Sequence, residues 1–547
     1  MQEGHPGHVK EIRQGRFFVD GTRRLLLGAE LHNSSSSTET QIARSFERVR
    51  ALGATTVLAP IAWETIEPDE GRFDFTLVDF MLETARSSGL GLIPLWFGSW
   101  KNGMSTYVPG FVKTDPRRFP RARTKNGPVE ILSPFSAANR DADAAAFGAL
   151  TRHLSEVAAE DVVEMIQVEN EVGLLGGARD VGEAAEESWN SPVPAVVLDV
   201  IRTHPGLPVH TAWRDAGSRE TGTWPEIFGA SLPVEEAFMA AAYAEYVNAV
   251  ALKGREAFDV PMFVNAWLEL PTDYDLSMVD EPPAVALAGG RIAGVYPSGG
   301  PVRSVVPIWR AAAPAIDLCA PDIYAADFDT IAADYRELAG GLLIPEMQRG
   351  AKGVAHMFRA VGEHDAMLVS PFGADSVLSH DESAQLRDGY HLLAAVAHIL
   401  KQRPNAETRG FMLTKEQTTA TVTLGDLQLT VTTADPLGLA TPIYPAYAVI
   451  VHEAPGRIFV VARGCSISAN CWGDHGVGIR SAIELDHVNG TWQVVRVLNG
   501  DESGSGRAVR FPHLAPTDSI SPIPSWSEAT GIVSIEYYQT EARVSPR

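Results

Sequence analysis

Short apolar runs ending in polar or aromatic residues alternate with longer segments of helical period from about residue 24 to about 400, the signature of repeated strand–helix units. Eight such runs stand out: RLLLGAELHN (24–33), TTVLAPIAWE (55–64), GLIPLWFGSW (91–100), VVEMIQVENE (162–171), MFVNAWLEL (262–270), IDLCAPDIY (316–324), GLLIPEMQ (341–348) and AMLVSPFGAD (366–375). They lack strict polar–apolar alternation, so each is predicted as a strand buried on both faces. Ile42, Phe46 and Val49 fall on one face of a helix that the Ser/Thr cluster 34–38 can cap, and Gly89 closes the next helix. Residues from about 178 to 267 are helical and exceed a simple crossover, while Lys101 to about Asn139 reads as a long loop able to shape a pocket. The pattern predicts an α/β fold, a (β/α)8 TIM barrel. An open doubly wound sheet gives no reason for so many strand ends to carry Trp, Glu, Asn, His and Tyr.

Beyond Leu400 the period changes to two. TATVTLGDLQLTVTTAD, AYAVIVHEAPGRIFVVARG, TWQVVRVLN and GIVSIEYYQTEARV are rich in Val, Thr and Ile and separated by Gly or Pro turns. A barrel domain over 1–402 and a smaller all-β, sandwich-like domain over 403–547 are therefore expected. The GDHGVG stretch (473–478) lacks a following βαβ unit and is read as a turn.

Charge narrows the partner class. Against 45 basic side chains stand 68 acidic ones, a formal net charge of −23, which disfavours nucleic acid and anionic membrane surfaces as partners. Neutral small molecules or sugars fit better. No run reaches the roughly 18 apolar residues of a membrane span, and the polar start MQEGHPGHVKEIRQG lacks a signal peptide's apolar core, so a cytoplasmic location is expected. The three cysteines, Cys319, Cys465 and Cys471, are read as reduced thiols. HExxH, paired CxxC and P-loop motifs are missing from the sequence, and neither metal nor cofactor is expected.

In a barrel of this kind the loops after the strands form the open face, so chemistry is sought at strand C-termini. The fourth run ends Glu169, Asn170, Glu171, and the seventh contains Glu346. Two carboxylates rising from opposite sides of a barrel mouth can flank one bond, the arrangement that glycosidic cleavage requires. Glu169 and Glu171 both stay open as partner of Glu346, because residues two apart on a strand point to the same side.

The segment IQVENEVG resembles the acid/base motif of the retaining β-galactosidases of glycoside hydrolase family 35. GAELHNSSSS, WETIEPDEGRFDF, YPSGGP and the β-rich end are similar to the bacterial branch of that family, so the resemblance extends over nearly the whole chain. It implies that Glu171 is the acid/base, Glu346 the nucleophile and galactose the default sugar, with Asn170 donating to the sugar 2-hydroxyl. On this reading Tyr324 hydrogen-bonds Glu346. His32, Asn33, Trp63, Glu64, Trp96 and Trp267, at or just beyond strand ends, are expected to bind the terminal sugar, with Trp100 and Glu269 beside them. The expected partner is an oligosaccharide, in a chain that can form a homo-oligomer such as a dimer. A related exo-β-glycosidase, a transglycosylase or a non-catalytic sugar-binding barrel are the alternatives.

Overall fold

Each of the eight apolar runs forms a strand: Leu26–Glu30 (β1), Thr56–Ala62 (β2), Gly91–Lys101 (β3), Ile166–Asn170 (β4), Met262–Ala266 (β5), Leu318–Pro321 (β6), Leu343–Met347 (β7) and Leu368–Pro371 (β8). They belong to a computed structural model that describes residues 8–542 apart from 270–289, 291, 325–326, 377–378, 434–441, 489, 505 and 513–528. Leu270, last residue of the fifth run, and residues 1–7 of the N-terminal stretch lie outside the described residues.

The strands are parallel, in the order β6-β5-β4-β3-β2-β1-β8-β7. The ring closes between its two ends, where the Ile323 N–H donates to the Glu346 carbonyl at 2.9 Å beside the parallel bridge Ile323–Met347. A closed ring leaves no strand edge, and both faces of each strand are covered, the physical reason these segments read as unbroken apolar runs. The (β/α)8 barrel is thus observed.

Helices surround the ring. Glu39–Leu52 starts at Thr38, whose side chain accepts from the Gln41 N–H, and buries Ile42, Phe46 and Val49. Thr76–Ser88 ends at Gly89 in the left-handed conformation. The expected helical excursion contains five helices, among them Leu232–Arg255, which is buried nearly all round and packs on Ala137–Glu156. The long segment after β3 is not structureless: it carries the short helix Gly110–Thr114 and the hairpin Arg121–Thr124/Gly127–Leu132. At the opposite end of the ring an N-terminal meander (Lys10–Arg13, Arg16–Val19, Thr22–Arg24) closes the barrel floor, Lys10 Nζ donating to the Glu160 and Val163 carbonyls that precede β4. The strand C-termini lie at the other end.

Among the described residues, the last part of the chain forms a single antiparallel sheet of ten strands, from Thr408–Leu413 to Ile532–Ala542. Its layers arise from one sheet folding over, since residues of the strands at the two ends of its order, such as Phe411 and Val422, pack into one apolar cluster. Along Ala446–Ala454 the side chains alternate between two cores. Ala446, Ala448 and Ile450 face the sheet's own cluster, while Tyr447, Val449 and Val451 join the core of the barrel. The second set packs on the barrel helix Gly350–Gly362, the neighbouring strand Arg457–Arg463 packs on the helix His380–Gln402, and Arg463 grips Asp388 in a buried ion pair at 2.6 Å. Within the described residues no helix is long and apolar enough to cross a membrane, and all three cysteines are free thiols.

Candidate active site

The C-terminal end of the strands gathers acid. Glu30 ends β1, Glu171 follows β4, Asp322 follows β6 and Glu346 lies in β7, and all four are buried. Glu171, Asp322 and Glu346 each offer one carboxylate oxygen such that the three lie within 4.8 Å of one another. Among the described residues this trio alone is close enough to share a cation, and the positive charge already acting on it is that of Lys101. Lys101 is itself buried, its Nζ donating to Asn170 Oδ1 at 2.9 Å.

Burial is the first cause that lifts the Glu171 carboxyl to about 7, and the negative charge of Glu346 is the second; Lys101 and a hydrogen bond from Asp322 pull the other way. Burial and the same neighbouring charges push Glu30 and Asp322 upward as well. Tyr324 donates to Glu346 Oε1 at 2.6 Å, as expected, and burial followed by that carboxylate's charge raises its phenol.

The backbone at the end of β4 departs from strand geometry. Glu169 has φ 62° and Glu171 φ 47°, in the left-handed region that costs a non-glycine residue about 1 kcal/mol or more. Two such turns around Asn170 abolish the two-residue side-chain period, so Glu169 and Glu171 do not share a side. Glu171 enters the mouth. Glu169 turns between strand and helix, where it accepts the Trp100 N–H at 2.8 Å. The Glu171 backbone is fixed by its N–H donating to Asn265 Oδ1 at 2.8 Å, and Asn265 Nδ2 donates to Asp322 Oδ2 at 2.7 Å. One amide from β5 therefore ties the ends of β4 and β6 together.

Several expected sugar contacts require correction. Trp63 and Trp96 are fully buried and present no face to the mouth. Trp96 points outward from β3 to the helix Ala137–Glu156, donating to Asp143 Oδ1 at 2.9 Å and packing on Phe147, because alternate strand positions face the outer helices. Trp63 opens a helical turn and folds back to Glu67 and Phe111. Trp100 is equally buried, wedged against Tyr243 and Tyr246. Glu64 is exposed and paired with Lys113 at 2.5 Å. Exposed His32 contacts Ser376 Oγ at 2.7 Å and the edge of Phe372, and Glu269 is held by Arg303 and the Ser304 N–H.

A different set is left unsatisfied. Asn33 Oδ1, Asn170 Nδ2, Trp267 Nε1 and Glu346 Oε2 are buried atoms without a hydrogen-bond partner, and no hydrogen bond among the described residues holds the Glu30 carboxyl. Buried polar atoms are nearly always paired, so an array of unpaired ones at strand C-termini suits a ligand rich in hydroxyls. Glu30, Asn265 and Asp322 were not singled out from the sequence. Each is a polar residue inside an apolar run: Glu30 ends β1, Asn265 is the last but one residue of β5 and Asp322 follows β6.

The wall beside Glu171 is built from YPSGGP. Leu174 and Ser298 exchange backbone hydrogen bonds at 3.0 and 2.9 Å, and a Cβ on Gly173 would meet the Pro297 backbone at 2.6 Å.

Residues 32–193 match the glycoside hydrolase 42 family model, described as beta-galactosidase, and residues 386–510 match a domain of unknown function (DUF5597). The first match contains Glu171 and stops short of Glu346. The matching β-galactosidase model is that of family 42, where the resemblance read from the sequence pointed to family 35. No curated protein matches the chain. Solved structures similar to it include the β-galactosidase of the psychrophilic Marinomonas ef1, at 13% identity and TM-score 0.45 over 69% of this chain and 60% of that one. Others are the β-galactosidase of the haloarchaeon Halorubrum lacusprofundi (16%, 0.45, 68% and 58%) and the β-amylase catalytic domain of Paenibacillus polymyxa (10%, 0.46, 68% and 98%). The chain spans about 60% of the length of the first of these.

Proposed function

We propose that this glycoside hydrolase is a retaining exo-β-glycosidase that releases terminal β-galactose from oligosaccharides by double displacement. The observation that carries the reading is the meeting of Glu171 and Glu346, from β4 and β7, with carboxylate oxygens within 4.8 Å. Retention needs the carboxyl groups about 5 to 5.5 Å apart, whereas inversion needs about 6.5 Å or more to admit a water.

Glu346, oriented by the Tyr324 hydroxyl, attacks the anomeric carbon and forms a glycosyl-enzyme. Glu171 is the proton donor: raised to about 7, it keeps a large protonated fraction at neutral pH, and that form gives its proton to the departing glycosidic oxygen. Forming the ester removes the charge on Glu346 that helped to raise Glu171, so Glu171 stays a carboxylate and takes a proton from the incoming water, whose oxygen bonds to the anomeric carbon as the bond to Glu346 breaks; the returning Glu346 charge then favours the acid form of Glu171 for the next cycle. Asn170, its carbonyl oxygen held by Lys101, directs Nδ2 at a sugar hydroxyl, and Trp267 and Asn33 supply further contacts at the rim.

A panel of nitrophenyl glycosides tests this. Release of nitrophenol from the β-galactoside with retained configuration supports the reading, and no release from any β-glycoside rejects it.

A further inference from the structure

Behind the mouth lies a second pair of carboxylates that the proposed chemistry does not use. Glu169 and Asp143 are both fully buried, and no salt bridge reaches either among the described residues. Their oxygens crowd one point: a Cβ on Gly98 would lie 2.6 Å from Glu169 Oε1 and 2.7 Å from Asp143 Oδ1. Asp143 collects donors, with Trp96 Nε1 at 2.9 Å on Oδ1, and the Ser99 N–H at 3.1 Å and the Tyr246 hydroxyl at 3.4 Å on Oδ2. Glu169 takes one N–H, from Trp100, and its Oε1 is left without a donor. Two bare negative charges cannot face each other in a site without a cation, and a single proton shared between them resolves both the repulsion and the orphaned oxygen. Because the donors collect on Asp143, that proton belongs on Glu169.

The place of the pair gives it a task. β3 and β4 run in register to Trp96–Val168 and resume only at Lys101–Asn170, so residues 97–100 of one strand face Glu169 alone on the other. The bulge strips backbone N–H groups of their strand partners, and Glu169 and Asp143 accept those of Trp100 and Ser99. Immediately beyond the bulge stand Lys101, Asn170 and Glu171.

Resting on the glycosidase reading, we propose that Glu169 is a positioning residue: as a neutral acid it donates to Asp143 while accepting from Trp100, and so pins the bulged end of β3 to β4 with Lys101, Asn170 and Glu171 facing the sugar. Burial and the Asp143 charge also push the Glu169 carboxyl strongly upward.

The test compares Glu169→Gln, Glu169→Ala and Asp143→Asn in the full chain. Glutamine offers the same donor and acceptor, so E169Q is expected to keep kcat on the nitrophenyl substrate within about threefold. E169A leaves the bulge unpinned and is expected to lower kcat about 100-fold with KM nearly unchanged. D143N sets an amide N–H against a donor and is expected to fall as far as E169A. An E169Q variant as impaired as E169A overturns the proposal, as does a D143N variant as active as E169Q. Infrared difference spectra of wild type against E169Q need no substrate: a protonated-acid C=O band missing only from E169Q supports the pair, and no such difference overturns it. If wild-type enzyme cleaves no glycoside, the glycosidase reading fails while the spectrum still decides the state of Glu169.

Discussion

Glu171 and Glu346 divide the work because their surroundings differ. Burial and the charge across the gap lift Glu171 to about 7, so its acid form prevails below that pH and is lost as the pH rises through it. The alkaline limb of kcat/KM is therefore expected near pH 7, and a limb more than two units higher would mean that another group donates the proton. Replacing Glu346 by Gln is expected to lower kcat more than about 1000-fold, since the nucleophile has no substitute; a variant retaining a tenth of the wild-type rate would reassign it. Glu171→Ala should slow poor leaving groups far more than activated ones, and added azide should yield a β-glycosyl azide. Equal loss on both kinds of substrate would show that Glu171 is not the acid.

Strand ends and the segments that brace them convert these side chains into a site. Asn265 joins β4 to β6 through the Glu171 N–H and the Asp322 carboxylate. Asn265→Ala is expected to lower kcat by about 10- to 100-fold, because a small misplacement of the acid costs that much, with little change in KM. The loop after Glu171 leans on YPSGGP, where Gly173 adopts φ 142° and a Cβ would strike the Pro297 backbone. Gly173→Ala is expected to cost about 1–3 kcal/mol of stability and to lower kcat/KM; unchanged values in denaturant titration and assay would show that the wall yields freely.

The barrel and the β-rich part share one apolar core through Tyr447, Val449, Val451, Phe459 and Val461. Ending the chain at Gln402 would strip that face from the helices Gly350–Gly362 and His380–Gln402, so the shortened protein is expected to aggregate or unfold rather than survive as a smaller enzyme. A soluble fragment with native activity would refute this. Arg463→Ala leaves Asp388 buried without its cation and is expected to cost about 3–5 kcal/mol in chemical denaturation.

The eight strands, a helix cap within the Ser/Thr cluster 34–38, the helix stop at Gly89, the change of period after Leu400 and the facing of a fourth-strand glutamate with Glu346 were legible along the chain, because each rests on local periodicity or on a position at a strand's end; the choice of Glu171 over Glu169 rested on the family resemblance alone. What could not be read was where side chains point once the backbone leaves its regular path. The left-handed turns at Glu169 and Glu171 separate two residues that strand geometry puts on one side, and the bulge in β3 beyond Trp96 leaves residues 97–100 facing Glu169 alone. The partnership of Glu30, Lys101, Asn265 and Asp322 with the two glutamates arises when ring closure brings distant strand ends within reach of one another's charge, a condition that no stretch of sequence contains.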